Sequence, residues 1–243
     1  MADFKTHITT STVLGFGYGA AGHFLFGLPI PACFVAGGLC SVAGMLPDLD
    51  SNSGIPQREM LSFVSVIVPV LMWDRFEALG LTDEHIVFVA AVMYVFIRFV
   101  IGGIFRRYTK HRGMWHSIPA ALIAGLVTFL LCLCPDLGVR LFKAWGVVLG
   151  FVSHLILDEV YAVDWQGRTI RVKRSFGTAL KMFGSSKLAN ITTYGKLALL
   201  GVLIASDGMV MEYFGCEPVD IPWSARDWFR DQISGIGGDT VIR

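Results

Sequence analysis

LFKAWGVVLGFVSHLILDEV, residues 141–160, is the stretch that decides the architecture. A helix of this length rises about 30 Å, the thickness of a bilayer's hydrocarbon core. Lys143 stands near one end and His154 and Asp158 near the other, with apolar side chains between them. Such a run reads as a membrane helix that leaves the lipid through a histidine and a carboxylate.

Outward from it, apolar runs of similar length recur at 10–28, 31–47, 60–80, 85–105 and 118–134, with a further one at 196–213. The pattern predicts an all-α, polytopic transmembrane bundle of six core helices plus a seventh. Composition agrees: 54% of the 243 residues are hydrophobic and 16% charged, against about 25% charged in an average soluble domain. That excess of apolar surface needs lipid to cover it. Ser117 followed by Pro119 predicts the start of a helix, the hydroxyl acting as N-cap. Gly15, Gly17, Gly19 and Gly22 lie inside an apolar run with no strand before them and no GK[ST] after, so they read as close helix packing rather than a phosphate loop.

Three regions follow. Residues 1–160 form the six-helix membrane core, 161–195 a basic interfacial segment, and 196–243 the seventh helix and a polar tail. In the middle region Arg168, Arg171, Lys173, Arg174, Lys181 and Lys187 alternate with apolar residues, which suits a surface lying against anionic headgroups. The tail holds one amphipathic stretch, Trp223 to Ile233.

Several classes fall away. A net charge of +1 supplies no field for nucleic acid. Cys33, Cys40, Cys132, Cys134 and Cys216 lack paired spacing, which argues against disulfides and zinc knuckles. The single Lys5 before a long Gly-rich run reads as a first membrane helix rather than a cleaved leader. Lys5, Arg58, Arg106, Arg107, Lys110, Arg112 and the basic segment fall on one side of the helix map, which makes that side, and the N-terminus, cytoplasmic.

Chemistry gathers in four short pieces: His7 before the first helix, Leu46-Pro47-Asp48-Leu49-Asp50 after the second, His111-Arg112-Gly113-Met114-Trp115-His116-Ser117 before the fifth, and His154 with Asp158 closing the sixth. An even number of crossings separates each piece from the next, so all four return to the cytoplasmic face. His154 and Asp158, at i and i+4, share one helix face. Imidazole mixed with carboxylate suits a divalent transition metal, with zinc favoured and manganese an alternative. The ligand candidates are His7, Asp48, Asp50, His111, His116, His154 and Asp158. They exceed one tetrahedral set, so some are supporting residues or two ions are bound. Each piece alone has a plainer reading: His7 as a helix-start residue, Asp48 and Asp50 as turn caps, Trp115 and Arg112 as headgroup anchors, His154 and Asp158 as a simple pair. His23 and His85 have no companions in this scheme and read as structural.

At these residues the chain resembles the YdjM-like family, the LexA-binding, inner-membrane-associated proteins labelled metal-dependent hydrolases. The family pattern of an N-terminal His, LPDxD, HRGxTHS and HxxxD corresponds to His7, Leu46–Asp50, His111–Ser117 and His154 with Asp158. Trp115 stands where the family has Thr. The resemblance covers about residues 5–160 and implies an inner-membrane metal-dependent hydrolase. More distantly, the order of motifs is similar to zinc-dependent phospholipase C, which would point to phosphodiesters.

The function expected is therefore hydrolysis at the cytoplasmic membrane face, of a phospholipid or another phosphoester. Asp50 or Asp158 would take the proton from water and Arg112 would hold the phosphate. Partners would be membrane lipids and a small-molecule or lipid substrate. Two other classes compete: a metal- or proton-coupled transporter, which would place its ligands near the midplane on broken helices, and a non-catalytic scaffold.

Overall fold

The structure is a computed structural model that describes residues 3–50, 54–104, 114–166, 169–172, 177 and 179–216. Helix α1 (Phe4–Phe26) starts on Asp3, whose carboxylate accepts from Thr6 N at 3.0 Å, and ends at Gly27 with φ 66°. It therefore begins before the apolar run does, carrying His7 on its first turns. The short link through Pro29 turns the chain back into α2 (Ile30–Ala43). The run expected to continue to 47 stops at Ala43, and the chain tightens into a 3-10 turn over Leu46–Asp50. Pro47 explains this, because it has no N–H to donate and it disfavours α geometry at the residue before it.

Helix α3 (Gly54–Leu71) contains Pro69, and the helix breaks at Met72 before the short α4 (Trp73–Ala78). One helix expected over 60–80 is thus two. Helix α5 (Asp83–Val95) runs on through a π-helical turn, Phe96–Ile101. Helix α6 (Ile118–Leu131) begins as expected, with Ser117 Oγ accepting from Ala120 N. Helix α7 (Leu137–Val160) is capped by Asp136. The all-α expectation holds for the bundle, and among the described residues one short hairpin is added to it. Strands β1 (Val163–Gln166) and β2 (Thr169–Val172) form an antiparallel hairpin, pairing Val163 with Val172 and Trp165 with Ile170. Val163, Trp165, Ile170 and Val172 are β-branched or aromatic, the types that favour strands. Helix α8 (Lys187–Ala205), begun by Ser186, starts well before the expected 196. It is separated at Ser206–Asp207 from α9 (Gly208–Tyr213).

Among the described residues, three helices combine the length and apolarity to cross a membrane: Asp83–Ile104, Leu137–Val160 and Lys187–Ala205; α2 and α6 are apolar but shorter. The exterior carries side chains a soluble protein would hide: Phe24 is 81% exposed, Phe34 77% and Phe16 70%. Helix α7 is the hub, packed against α1, α2 and α6, while α8 rests on α6 and α5 on α3.

Glycine makes the hub tight. A Cβ on Gly150 would collide with the Cys40 carbonyl, and one on Gly44 with Ser11. The same holds for Gly15 against Gly37, Gly19 against Cys33 and Gly22 against Phe142, as the sequence pattern implied; Gly17 instead faces open space. Ala120, Ala121, Phe151 and Leu155 fill the core between α6 and α7, and Met45, Leu49, Met60 and Leu61 fill it beneath the 3-10 turn.

Candidate metal centre

Five of the seven ligand candidates meet at one end of the bundle. His7 comes from the start of α1, Asp48 from the 3-10 turn, His116 from just before α6, and His154 and Asp158 from the last turns of α7. His7, His116, His154 and Asp158 are buried, and Asp48 is partly so. Asp50 is described only in its backbone, which closes the 3-10 turn, and His111 and Arg112 lie outside the described residues.

The contacts centre on His154. Its Nε2 lies 3.8 Å from Asp48 Oδ1 and 3.8 Å from Asp158 Oδ2. His7 Nε2 lies 3.4 Å from Asp158 Oδ1, and the His7 ring stacks on His154 with centroids 3.7 Å apart. The His116 ring stands edge-on to His154 at 5.9 Å. Two donors each about 2.1 Å from one tetrahedral ion would be about 3.4 Å apart, so these separations are close to those of a metal site.

His154 Nδ1 lies 2.7 Å from the Gly44 carbonyl oxygen. A carbonyl only accepts, so Nδ1 carries the hydrogen, and in the neutral ring Nε2 is left with its lone pair turned toward the carboxylates. Imidazole ligands of metals are held in this way. Meanwhile His7 Nδ1, His154 Nε2 and Asp158 Oδ1 have no hydrogen-bond partner although they are buried. Each such atom costs about 1–3 kcal/mol. A shared cation would relieve His154 Nε2 and Asp158 Oδ1, and the donor set fits one: His7, His154 and Asp158 form one group able to hold a metal ion, and Asp48, His116 and His154 another. His154 belongs to both groups, and its single lone pair serves one ion.

Supports fix the cluster from several directions. Trp115 Nε1 donates to the Leu46 carbonyl at 2.9 Å and Gln57 Nε2 to the Leu49 carbonyl at 2.9 Å, clasping the turn that carries Asp48. Trp115 thereby braces one motif against another rather than resting as a headgroup anchor. Ser11 Oγ donates to the Ser41 carbonyl at 2.8 Å, locking α1 to α2 one turn from His7.

Glu159, beside Asp158, is a residue that motif reading passed over. Its carboxylate accepts from Gly177 N and Ala179 N, both at 2.7 Å, and from Leu180 N at 3.2 Å. Ile118 N donates to the Lys181 carbonyl, so this stretch is tied to both α7 and the start of α6. Its only sequence signal was adjacency to Asp158.

His23 and His85 stand apart from the cluster. His23 Nδ1 is 3.0 Å from the Leu28 carbonyl and His85 Nδ1 2.7 Å from Thr82 Oγ1. At the other end of α7, fully buried Arg140 holds Asp207 by two bonds of 2.8 and 2.6 Å and donates from Nε to the Phe129 carbonyl at 2.8 Å. Arg75 donates to the Leu130 carbonyl. The two arginines thus cap the carbonyls at the end of α6, and Asp207 fastens the α8–α9 junction to them.

Apolar helices of membrane-spanning length, joined to a buried His/Asp group able to hold a metal ion, define a helical membrane protein with a candidate metal centre. The sequence profile of the YdjM inner membrane protein family matches residues 1–169, a span that contains the whole cluster, and the chain belongs to that family. No curated protein and no solved structure matches the chain.

Proposed function

We propose that this protein is a membrane-bound, metal-dependent hydrolase of phosphoesters, with its site at the cytoplasmic face. The observation that carries the proposal is the convergence of His7, Asp48, His116, His154 and Asp158 from four separate segments, with His154 held in its ligand tautomer by Gly44. Packing alone gives no reason to bury so many ionisable groups together.

His7, Asp48, His116, His154 and Asp158 would supply the ligands of one or two ions, zinc by preference and manganese as the alternative. When bound, the ion would acidify a water and polarise a phosphoryl group. Asp158, or Asp50 on the adjoining turn, would accept the proton that water gives up. Arg112, between His111 and His116 in sequence, would hold the phosphate through its planar fork. On this reading α1, α2, α3, α5, α6 and α7 supply six crossings and α8 a seventh, with the N-terminus cytoplasmic by the positive-inside rule.

The transport reading has less support, since transporters usually hold ions near the midplane on broken helices, whereas these groups sit at helix ends. The test is hydrolysis of a panel of phospholipids and generic phosphodiesters by purified protein, stripped of metal and then given zinc or manganese. Turnover that vanishes on stripping and returns with metal is expected; turnover that survives stripping contradicts the proposal.

A further inference from the structure

Between α1 and α2, on the outward side of the bundle, lies a groove of about 430 Å³. Its floor is made by backbone. Gly15 meets Gly37, and Gly19 meets Cys33, so closely that neither glycine could carry a Cβ. Its walls are Phe16, Phe24 and Phe34, each at least 70% exposed. The polar groups along it make little demand on a ligand. Ser41 Oγ donates to the Gly37 carbonyl at 3.0 Å, and His23 Nδ1 is satisfied at the Leu28 carbonyl at 3.0 Å. An occupant must therefore be apolar.

Dimensions decide which apolar occupant. The groove follows α1 from Thr12 to Phe24, a distance of about 18 Å at 1.5 Å per residue. Drawn out over that length, about 430 Å³ makes a narrow open slot with the proportions of one hydrocarbon chain lying along α1. Position adds the second argument. The groove ends at Thr12 and Ser41, and Ser41 is bonded to Ser11, one turn from His7 and against Gly44, whose carbonyl orients His154. A lipid with its chain in the groove would present its headgroup at the His/Asp cluster.

We infer that the α1–α2 groove is an acyl-chain subsite, and that the substrate of the cluster is a lipid phosphoester rather than a water-soluble one. The subsite rests on the hydrolase reading for its purpose but not for its existence. Concave walls give a chain van der Waals contact on several sides, where the outer face of α8 offers contact on one. Two positions allow the groove to be filled without disturbing the packing. Gly38 lines it with open space at its Cβ, and Ala20 lines it with an exposed side chain. Gly17 also faces open space but does not line the groove, so it serves as control.

The experiment uses the full-length protein in phosphatidylglycerol vesicles whose lipid carries a photoreactive diazirine along one acyl chain. Cross-linked residues are mapped by mass spectrometry, with labelling of α8 as the internal reference. Preferential labelling between 12 and 41 is expected in the wild type. It should be lost in Gly38→Phe and Ala20→Phe and kept in Gly17→Phe. Vesicle-lipid hydrolysis should fall with it in the two filled variants, while a chain-free diester such as bis(p-nitrophenyl) phosphate is turned over as before. Labelling of the wild-type groove no stronger than that of α8, or unchanged in both filled variants, overturns the subsite. Groove labelling as expected with no hydrolysis of any phosphoester would instead overturn the hydrolase reading and leave the subsite standing.

Discussion

His154 donates from Nδ1 to the carbonyl of Gly44 across a 2.7 Å contact, and this bond turns Nε2 toward Asp48 and Asp158. Gly44 is at this distance because Gly150, one turn earlier in α7, lets the Cys40 carbonyl approach where a Cβ would block it. A backbone contact between two helices thus sets the tautomer of a side chain at the site. Binding of metal to the folded state should consequently stabilise the protein, by about 2.7 kcal/mol when free metal is a hundredfold above its dissociation constant. Thermal unfolding in mild detergent should show zinc raising the midpoint and a chelator lowering it. In His154→Ala the zinc response should disappear; an undiminished response would remove His154 from the ligand set.

Trp115 tests the support rather than the ligands. Its Nε1 holds the Leu46 carbonyl at 2.9 Å, two residues before Asp48. Trp115→Phe keeps an aromatic ring and deletes one hydrogen bond, so it should cost about 1 kcal/mol of stability and weaken zinc binding by about tenfold, as for the loss of an outer partner. Competition with a chromophoric chelator measures this. Wild-type zinc affinity in Trp115→Phe would mean that the turn needs no clasp.

The opposite end makes an independent prediction. Arg140 is fully buried and Asp207 partly so, and removing the partner of a buried charge costs up to about 3 kcal/mol here, below the roughly 3–5 kcal/mol of a fully buried pair. Asp207→Asn should therefore lower the unfolding midpoint sharply without changing metal content. Burial pushes the Asp207 carboxyl upward, but the Arg140 hydrogen bonds outweigh it and leave its pKa lowered. A carboxylate with a lowered pKa stabilises the fold above its unfolded value, about 3.9, and loses that contribution as pH falls through the folded value. The stability gap between wild type and Asp207→Asn should hold steady from pH 7 to about 5 and close below about 4. A gap that widens in acid would contradict the pairing.

Much of the centre was legible because its signal is local. His154 and Asp158 share a face by spacing alone, and an even count of crossings placed His7, Asp48 and His116 on the same end. Ser117 announced α6 by cap chemistry, and Gly15, Gly19 and Gly22 announced close packing. What escaped lacks a local signature. The Gly44 carbonyl has no side chain to read. The Arg140–Asp207 pair joins residues far apart in sequence, with no motif to link them. Glu159 acts through backbone N–H groups of a distant stretch. The early end of α2 was readable from Pro47, but the apolar run through Leu46 masked it.

Arg112 separates phosphate binding from membrane anchoring. Arg112→Lys keeps the charge and loses the bidentate fork, so turnover on the best phosphoester should drop by about tenfold or more, the worth of one charge-assisted hydrogen bond, while metal content and unfolding are unchanged. A lysine would serve equally well as an anchor, because both side chains snorkel. Equal activity of Arg112→Lys and wild type would return Arg112 to that role.

The central claim is that the His/Asp cluster is a metal site, and elemental analysis tests it most directly. Protein purified without chelator, in wild-type form and as the His154→Ala/Asp158→Ala double variant, is measured for zinc, manganese and iron per chain. At least one tightly held ion per wild-type chain, zinc foremost, and its loss from a double variant that remains folded, is the predicted result. Folded wild-type protein without stoichiometric transition metal, even after incubation with zinc, would contradict it.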